Sequence, residues 1–252
     1  MAGHSHWAGI KHKKAANDAK RGKIWSKLAR AIIIAARDGG GDPDTNLPLR
    51  YAIDKAKAEN MPKDTIEKAI KKGTGELEAV NYEEVVYEGY AKGGVAVMVE
   101  AVTDNRNRTA PEIKKVFERH GGSLGGSGCV AWMFDRKGLI TIKTSDADED
   151  ELMELALSAG AEDMTTEADM YEITCEAGAF EELNKAIQDA GIKPEVAEIS
   201  MIPQNNVKVE DPDTAKKVLA LMDELEDHDD VQNVYANFDI PDEILTTVEA
   251  AS

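Results

Sequence analysis

The sequence predicts an α+β chain of three domains, and three observations carry that prediction. Over the first 75 residues, apolar positions recur at helical spacing. From residue 82 the period shortens to that of strands, in "YEEVVYEGY" and "GVAVMVEAVT". Residues 136–202 then give the order βαββαβ, that of a ferredoxin-like split-βαβ sandwich.

In the first segment Trp25, Leu28, Ile32 and Ala35 fall on one arc of a helix, joined by Ile24 and Ala29. Lys20, Lys23, Lys27, Arg30 and Arg37 fall on the opposite arc, so the helix is expected to show a basic outer face. Ile34 lies inside that arc and is expected to pack on another element. "DGGG" at 38–41 ends the helix. A second helix is expected from near Asn46, with Pro48 in its first turn. It stops before Pro62, which opens a third, "PKDTIEKAIKK". Together these form a three-helix domain over 1–75.

The hairpin "YEEVVYEGY"/"GVAVMVEAVT" is followed by the helix "NRTAPEIKKVFERH", with Pro111 in its first turn. The glycine-rich "GGSLGGSG" leads to a strand "CVAWMF", and "GLITIKT" starts the next series. At the far end "NVKVE", "DTAKKVLALMDELEDH" and "VQNVYANF" read β-α-β. Neither 76–135 nor 203–240 makes a complete sheet alone. The two are therefore expected to join into one discontinuous α/β domain, with 136–202 inserted between them. Residues 241–252 are expected to be a mobile tail.

Charge is split along the chain. Residues 1–37 carry nine Lys/Arg and one acid, a local +8, whereas residues 145–252 carry five bases and thirty acids, a local −25. The whole chain is −18. This pattern points to a polyanion-binding end and an anion-repelling end. Lys11, Lys13, Lys14, Lys20, Arg21, Lys23, Lys27 and Arg30 are dense enough to contact several phosphates, with steep salt dependence. Trp7, among them, can stack on an unpaired base. The bland alternative is a solvated helix face. "TDNRNRT" at 103–109 lies between a strand and a helix, where free N–H groups meet anions. There Arg106 and Arg108 can reach phosphate, or simply flank a capped turn.

Other motifs exclude chemistry. "GGSLGGSG" lacks the Gly-Lys-Ser/Thr of a P-loop and precedes a strand; it is read as a close-approach loop or a mobile turn. Cys129 and Cys175 show no metal or redox spacing. "GHSH" lacks a third ligand nearby, and the acidic runs lack calcium-loop order. The five histidines show no nucleophile–His–acid order. No catalytic residue, metal or cofactor is assigned. The inserted segment lacks the stacking aromatics of an RNA-recognition sheet, and its acidity suits protein contact or a spacer role. No apolar run approaches the roughly 20 residues of a membrane span, and no signal-peptide core is present, so a cytosolic protein without membrane contact is expected.

Four stretches carry a resemblance: "AGHSHWAGIKHKKAANDAKRGKIWSKLARAI", "NMPKDTIEKAIKKGTGE", "YEGYAKGGVAVMVEAVTDNRNRT" and "GGSLGGSGCVAWMFDRKG". They resemble the YebC family, which includes the mitochondrial translational activator of cytochrome c oxidase subunit I. The resemblance runs from residue 2 to about 240. It implies a helical first domain and two α/β domains, the third inserted into the second. With no presequence before residue 2, it implies a bacterial cytosolic member.

The resemblance implies two non-enzymatic functions. One is transcriptional regulation by binding promoter DNA. The other is a ribosome-associated translation factor that eases synthesis through proline-rich stretches, with ribosomal RNA as the ligand. The residues alone also admit a protein adapter whose basic arm docks on its own acidic domains. They set no oligomeric state.

Overall fold

The computed structural model describes residues 18–78, 81–167 and 169–250. Three helices open the chain: α1 (Asp18–Gly39), α2 (Leu47–Ala58) and α3 (Lys63–Gly73). Their core is Leu28, Ile32 and Ile33 of α1 against Leu49, Ile53, Ile66 and Ala69. Asn46 sets the entry to α2: its Oδ1 accepts from Leu49 N–H (3.2 Å), while its Nδ2 donates to the Ala35 and Gly40 carbonyls, both at 2.7 Å. One buried amide thus caps one helix and ties it to the end of another.

The second unit is a four-stranded antiparallel sheet in the order β3-β1-β2-β9. Its strands are β1 (Glu83–Tyr90), β2 (Ala96–Thr103), β3 (Ser123–Leu124) and β9 (Val231–Ala236). β9 returns after the whole inserted sheet to pair with β2, Val97 opposite Ala236. The discontinuous architecture is therefore real. α4 (Arg106–Arg119) and α7 (Pro212–Asp227) pack over this sheet, burying Ile113, Phe117, Val218, Leu221 and Leu225.

The inserted sheet has the order β5-β6-β4-β7, all antiparallel. It comprises β4 (Phe134–Lys143), β5 (Ala161–Glu167), β6 (Met170–Glu176) and β7 (Val196–Pro203). Helices α5 (Glu149–Ser158) and α6 (Phe180–Asp189) cover one face through Leu152, Phe180, Leu183 and Ile187. This is the ferredoxin-like order the sequence predicts.

The structure corrects four local expectations. "CVAWMF" is not a separate strand. Residues Ala131–Met133 form a 3-10 turn, and Phe134 opens the ten-residue β4 that runs on through "GLITIK". The amides of Val130 and Ala131 are taken by a carboxylate, as described below, so they cannot join a ladder. "NVKVE" contributes only β8 (Val207–Lys208), which pairs in parallel with β10 (Phe238–Asp239) apart from the main sheet. Asn105 caps α4, which starts at Arg106 rather than Asn107 and has Pro111 in its second turn. Its missing N–H removes one intrahelical bond there.

The fourth correction concerns the tail. Residues Asp242–Ala250 form α8, and Leu245 and Val248 are buried with Leu225 and Ile240. The apolar spacing 245/248 was too short a run to read as a helix. Leu245→Ala is expected to lower stability by about 2 kcal/mol, read as a shift in the urea midpoint. A mobile tail would leave the midpoint where it was.

Candidate nucleic-acid interface

The ten cations singled out in the sequence fall into three groups. Lys11, Lys13 and Lys14 lie outside the described residues. Lys20 and Arg21 stand at the start of α1. The other five are placed, and all five meet carboxylates or carbonyls of the chain itself.

Lys23, Lys27 and Arg30 share a helical stripe with Ile34, at i, i+4, i+7 and i+11. That stripe was expected to face outward. Ile34 is buried, as its place in the stripe led one to expect, but the three cations dock on the end of α7 and the turn after it. Lys23 Nζ reaches Asp227 Oδ2 at 2.9 Å. This hydrogen bond outweighs the lowering by burial and holds the ammonium above its ordinary value. Lys27 donates to the Glu226 carbonyl, and Arg30 to the Asp229 carbonyl. Arg30 also reaches Asp230 Oδ1 at 3.2 Å and lies 5.8 Å from the centre of the Tyr82 ring.

Asp230 is the hub of this junction. Its carboxylate is buried, with 4% of the side chain exposed. Oδ2 accepts from Arg108 Nη2 (2.5 Å), Thr109 Oγ1 (2.7 Å) and Thr103 Oγ1 (3.2 Å). Burial alone would raise its carboxyl, but the hydrogen bonds of Thr109 and Arg108 and the charges of Arg108 and Arg30 bring it below the ordinary range. The "TDNRNRT" turn is thus built around an internal anion. Asn105 Oδ1 accepts from Arg108 N–H at 3.2 Å. Arg106 sits at the rim, 3.5 Å from Glu83.

α2 binds the inserted unit in the same manner. Tyr51 meets Phe180 edge to face, with centroids 5.7 Å apart. Arg50 pairs with Glu181 and Lys55 with Glu198, each at 2.9 Å. The helical unit therefore contacts both acidic units through its own cations.

The glycine-rich loop is a filled anion nest. Glu88, on β1 and almost fully buried, accepts from three backbone N–H groups: Gly128 (2.6 Å), Val130 and Ala131 (both 2.8 Å). Gly128 has φ +84°, which turns its amide toward that carboxylate. Gly125 N–H donates to the Glu88 carbonyl at 2.7 Å, and Tyr90 and Trp132 both donate to the Cys129 carbonyl. The loop is therefore pinned rather than mobile. Outside these contacts Lys68, Lys71 and Lys72 of α3 are exposed and in no ion pair among the described residues. The sequence reading passed over them. Their signal was positional, on the side of α3 opposite Ile66 and Ala69.

The placement of these units matches proteins already known. One family profile, described as the TACO1/YebC protein N-terminal domain, matches residues 5–76. A second, the TACO1/YebC second and third domain, matches 82–238. The chain belongs to the TACO1/YebC family. A relative from Halothermothrix orenii, named "Probable transcriptional regulatory protein", is 60% identical over 98% of this chain and 99% of its own. One of the same name from Natranaerobius thermophilus is 58% identical over 98% and 100%. A crystal structure of a conserved hypothetical protein from Aquifex aeolicus superposes with a TM-score of 0.86 at 52% identity, covering 95% of this chain and 99% of that one. For this YebC-family chain, no helix among the described residues is long and apolar enough to cross a membrane.

Proposed function

We propose that this YebC-family protein is a non-enzymatic regulator of gene expression that grips RNA on the ribosome through its basic amino-terminal end. It eases synthesis through proline-rich stretches, as the family resemblance implies. The observation that supports this reading is the placement of charge. The chain's one strongly basic segment enters the fold at α1, and α1 is anchored on an acidic body by Lys23, Lys27 and Arg30. Those three cations hold the arm in place. The phosphate contacts then fall to Lys11, Lys13, Lys14, Lys20 and Arg21, with Arg106 at the rim. A basic arm suits ribosomal RNA, and an acidic body discourages nonspecific adhesion to it.

The printed names of the relatives favour a second reading, regulation through promoter DNA. One experiment separates the two. Lys11, Lys13, Lys14 and Lys20 are replaced by Glu, leaving the docked stripe untouched. The substitutions are expected to abolish ribosome co-sedimentation at moderate salt and to flatten the salt dependence of RNA binding. Unchanged co-sedimentation, together with preference of the parent for a promoter duplex over a scrambled one, would put the DNA reading first. If the intact parent binds neither nucleic acid, the arm serves only to dock on the chain's own body, as an adapter would use it.

A further inference from the structure

The acidic half of the chain, residues 145–252, holds five bases. Two of them, Lys216 and Lys217, lie side by side on the exposed face of α7. They line a concavity of about 390 Å³ together with Lys92, His120, Asp213 and Ala220. Three lysines and a histidine therefore share this lining with one carboxylate, Asp213. Lys92, Lys216 and Lys217 form no ion pair within 4 Å among the described residues, although the charge of Lys92 contributes to holding the Asp211 carboxyl low. Three lysines outnumber the acids Asp213 and Asp211 beside them, and an anion in the hollow relieves the repulsion that remains.

The hollow is also built rather than incidental. Lys92 leads the β1–β2 turn, where Gly93 adopts φ +84°. A Cβ on Gly93 would stand 3.1 Å from Thr214 Cγ2, so this turn lies directly on the start of α7. His120 caps the end of α4, and its Nε2 faces Glu224 Oε2 at 2.7 Å. A carboxylate oxygen can only accept, so Nε2 carries the hydrogen there and the ring is oriented. Arg119 binds the same Glu224, which leaves that carboxylate engaged by two partners.

We propose that this hollow is a phosphate-binding site, with Lys92, Lys216 and Lys217 as its ligands and His120 as an oriented wall. It is separate from the amino-terminal arm. Lys216 and Asp227, where Lys23 docks, are eleven residues apart on α7, about 17 Å along its axis. The phosphate can come from an RNA backbone, which at that distance reaches both places, or from a free phosphorylated small molecule.

The test uses the full chain and two probes, a labelled single-stranded RNA and inorganic pyrophosphate. Three variants are compared: Lys216→Gln/Lys217→Gln, the arm variant described above, and Lys185→Gln/Lys193→Gln. The last removes the same charge from exposed sites in the same acidic half. A tenfold loss of RNA affinity in the first, with a salt slope shallower by about one to two, identifies a phosphodiester contact provided that the Lys185/Lys193 pair binds normally. Unchanged RNA binding with loss of calorimetric pyrophosphate binding identifies a free phosphate ligand. Equal losses in both glutamine pairs, or no loss with either probe, overturn the site. RNA binding that survives in the arm variant counts against the amino-terminal reading alone and leaves the hollow standing.

Discussion

Asp230→Ala is expected to remove about 3 kcal/mol of folding stability and to loosen α1 from the body. One buried carboxylate accepts from Arg108, Thr109 and Thr103 through Oδ2 and from Arg30 through Oδ1. Removing one partner of a buried charged network costs on the order of 3–5 kcal/mol. The lower end applies because Arg108 is half exposed and regains water. Thr103 and Thr109 are fully buried and find no such relief. Asp230→Asn should be nearly as costly, since an amide presents N–H groups where the network needs acceptors. The sign of the pH dependence follows from the lowered carboxyl. The folded state prefers the charged form, so this stabilisation is complete above the ordinary carboxylate range, about pH 4, and is lost as the pH falls through Asp230's own lower value. Urea unfolding at pH 7 and in acid measures both. A variant whose midpoint equals that of the parent at pH 7 would remove Asp230 from the centre of the junction.

The same residue shows where sequence reading stops. The stripe Lys23, Lys27, Arg30 was legible as basic and Ile34 as misplaced within it. A buried Ile on a basic stripe means that the stripe faces protein. Its partners, however, lie about 200 positions away, and no local spacing announces them. The turn chemistry of "TDNRNRT" was legible as a capped turn, though not which residue caps it. That Arg108 serves an internal carboxylate was not, because a capped turn and a phosphate site use the same residues. Sheet order was readable where strands alternate cleanly, as in the inserted βαββαβ series. It failed at Val130–Met133, where a distant carboxylate takes the amides that a ladder needs.

Glu88 supplies that carboxylate, and its replacement is the second large effect. Glu88→Ala is expected to cost about 4 kcal/mol. Three N–H groups, of Gly128, Val130 and Ala131, lose a charged acceptor, and at the fully buried Val130 water does not readily replace it. Glu88→Gln keeps the shape but retains a single acceptor oxygen, so it should recover only part of the loss. Burial pushes the Glu88 carboxyl up, but the three backbone donors outweigh burial and hold it low. Its contribution therefore persists above the ordinary carboxylate range and disappears as the pH drops through the depressed value. Hydrogen exchange gives the sharper readout. In the parent, the amides of 128–131 should be protected to nearly the same degree as the β1–β2 ladder, because loop and strand are joined by one side chain. In Glu88→Gln those amides should exchange orders of magnitude faster, while Val97 and Val99 stay protected. Fast exchange at 128–131 already in the parent would mean that the nest is open in solution, and that the glycines serve motion after all. Protection there makes the glycine-rich loop a rigid bracket between the discontinuous sheet and β4. Its glycines then exist to let backbone amides close around a carboxylate that the chain itself provides.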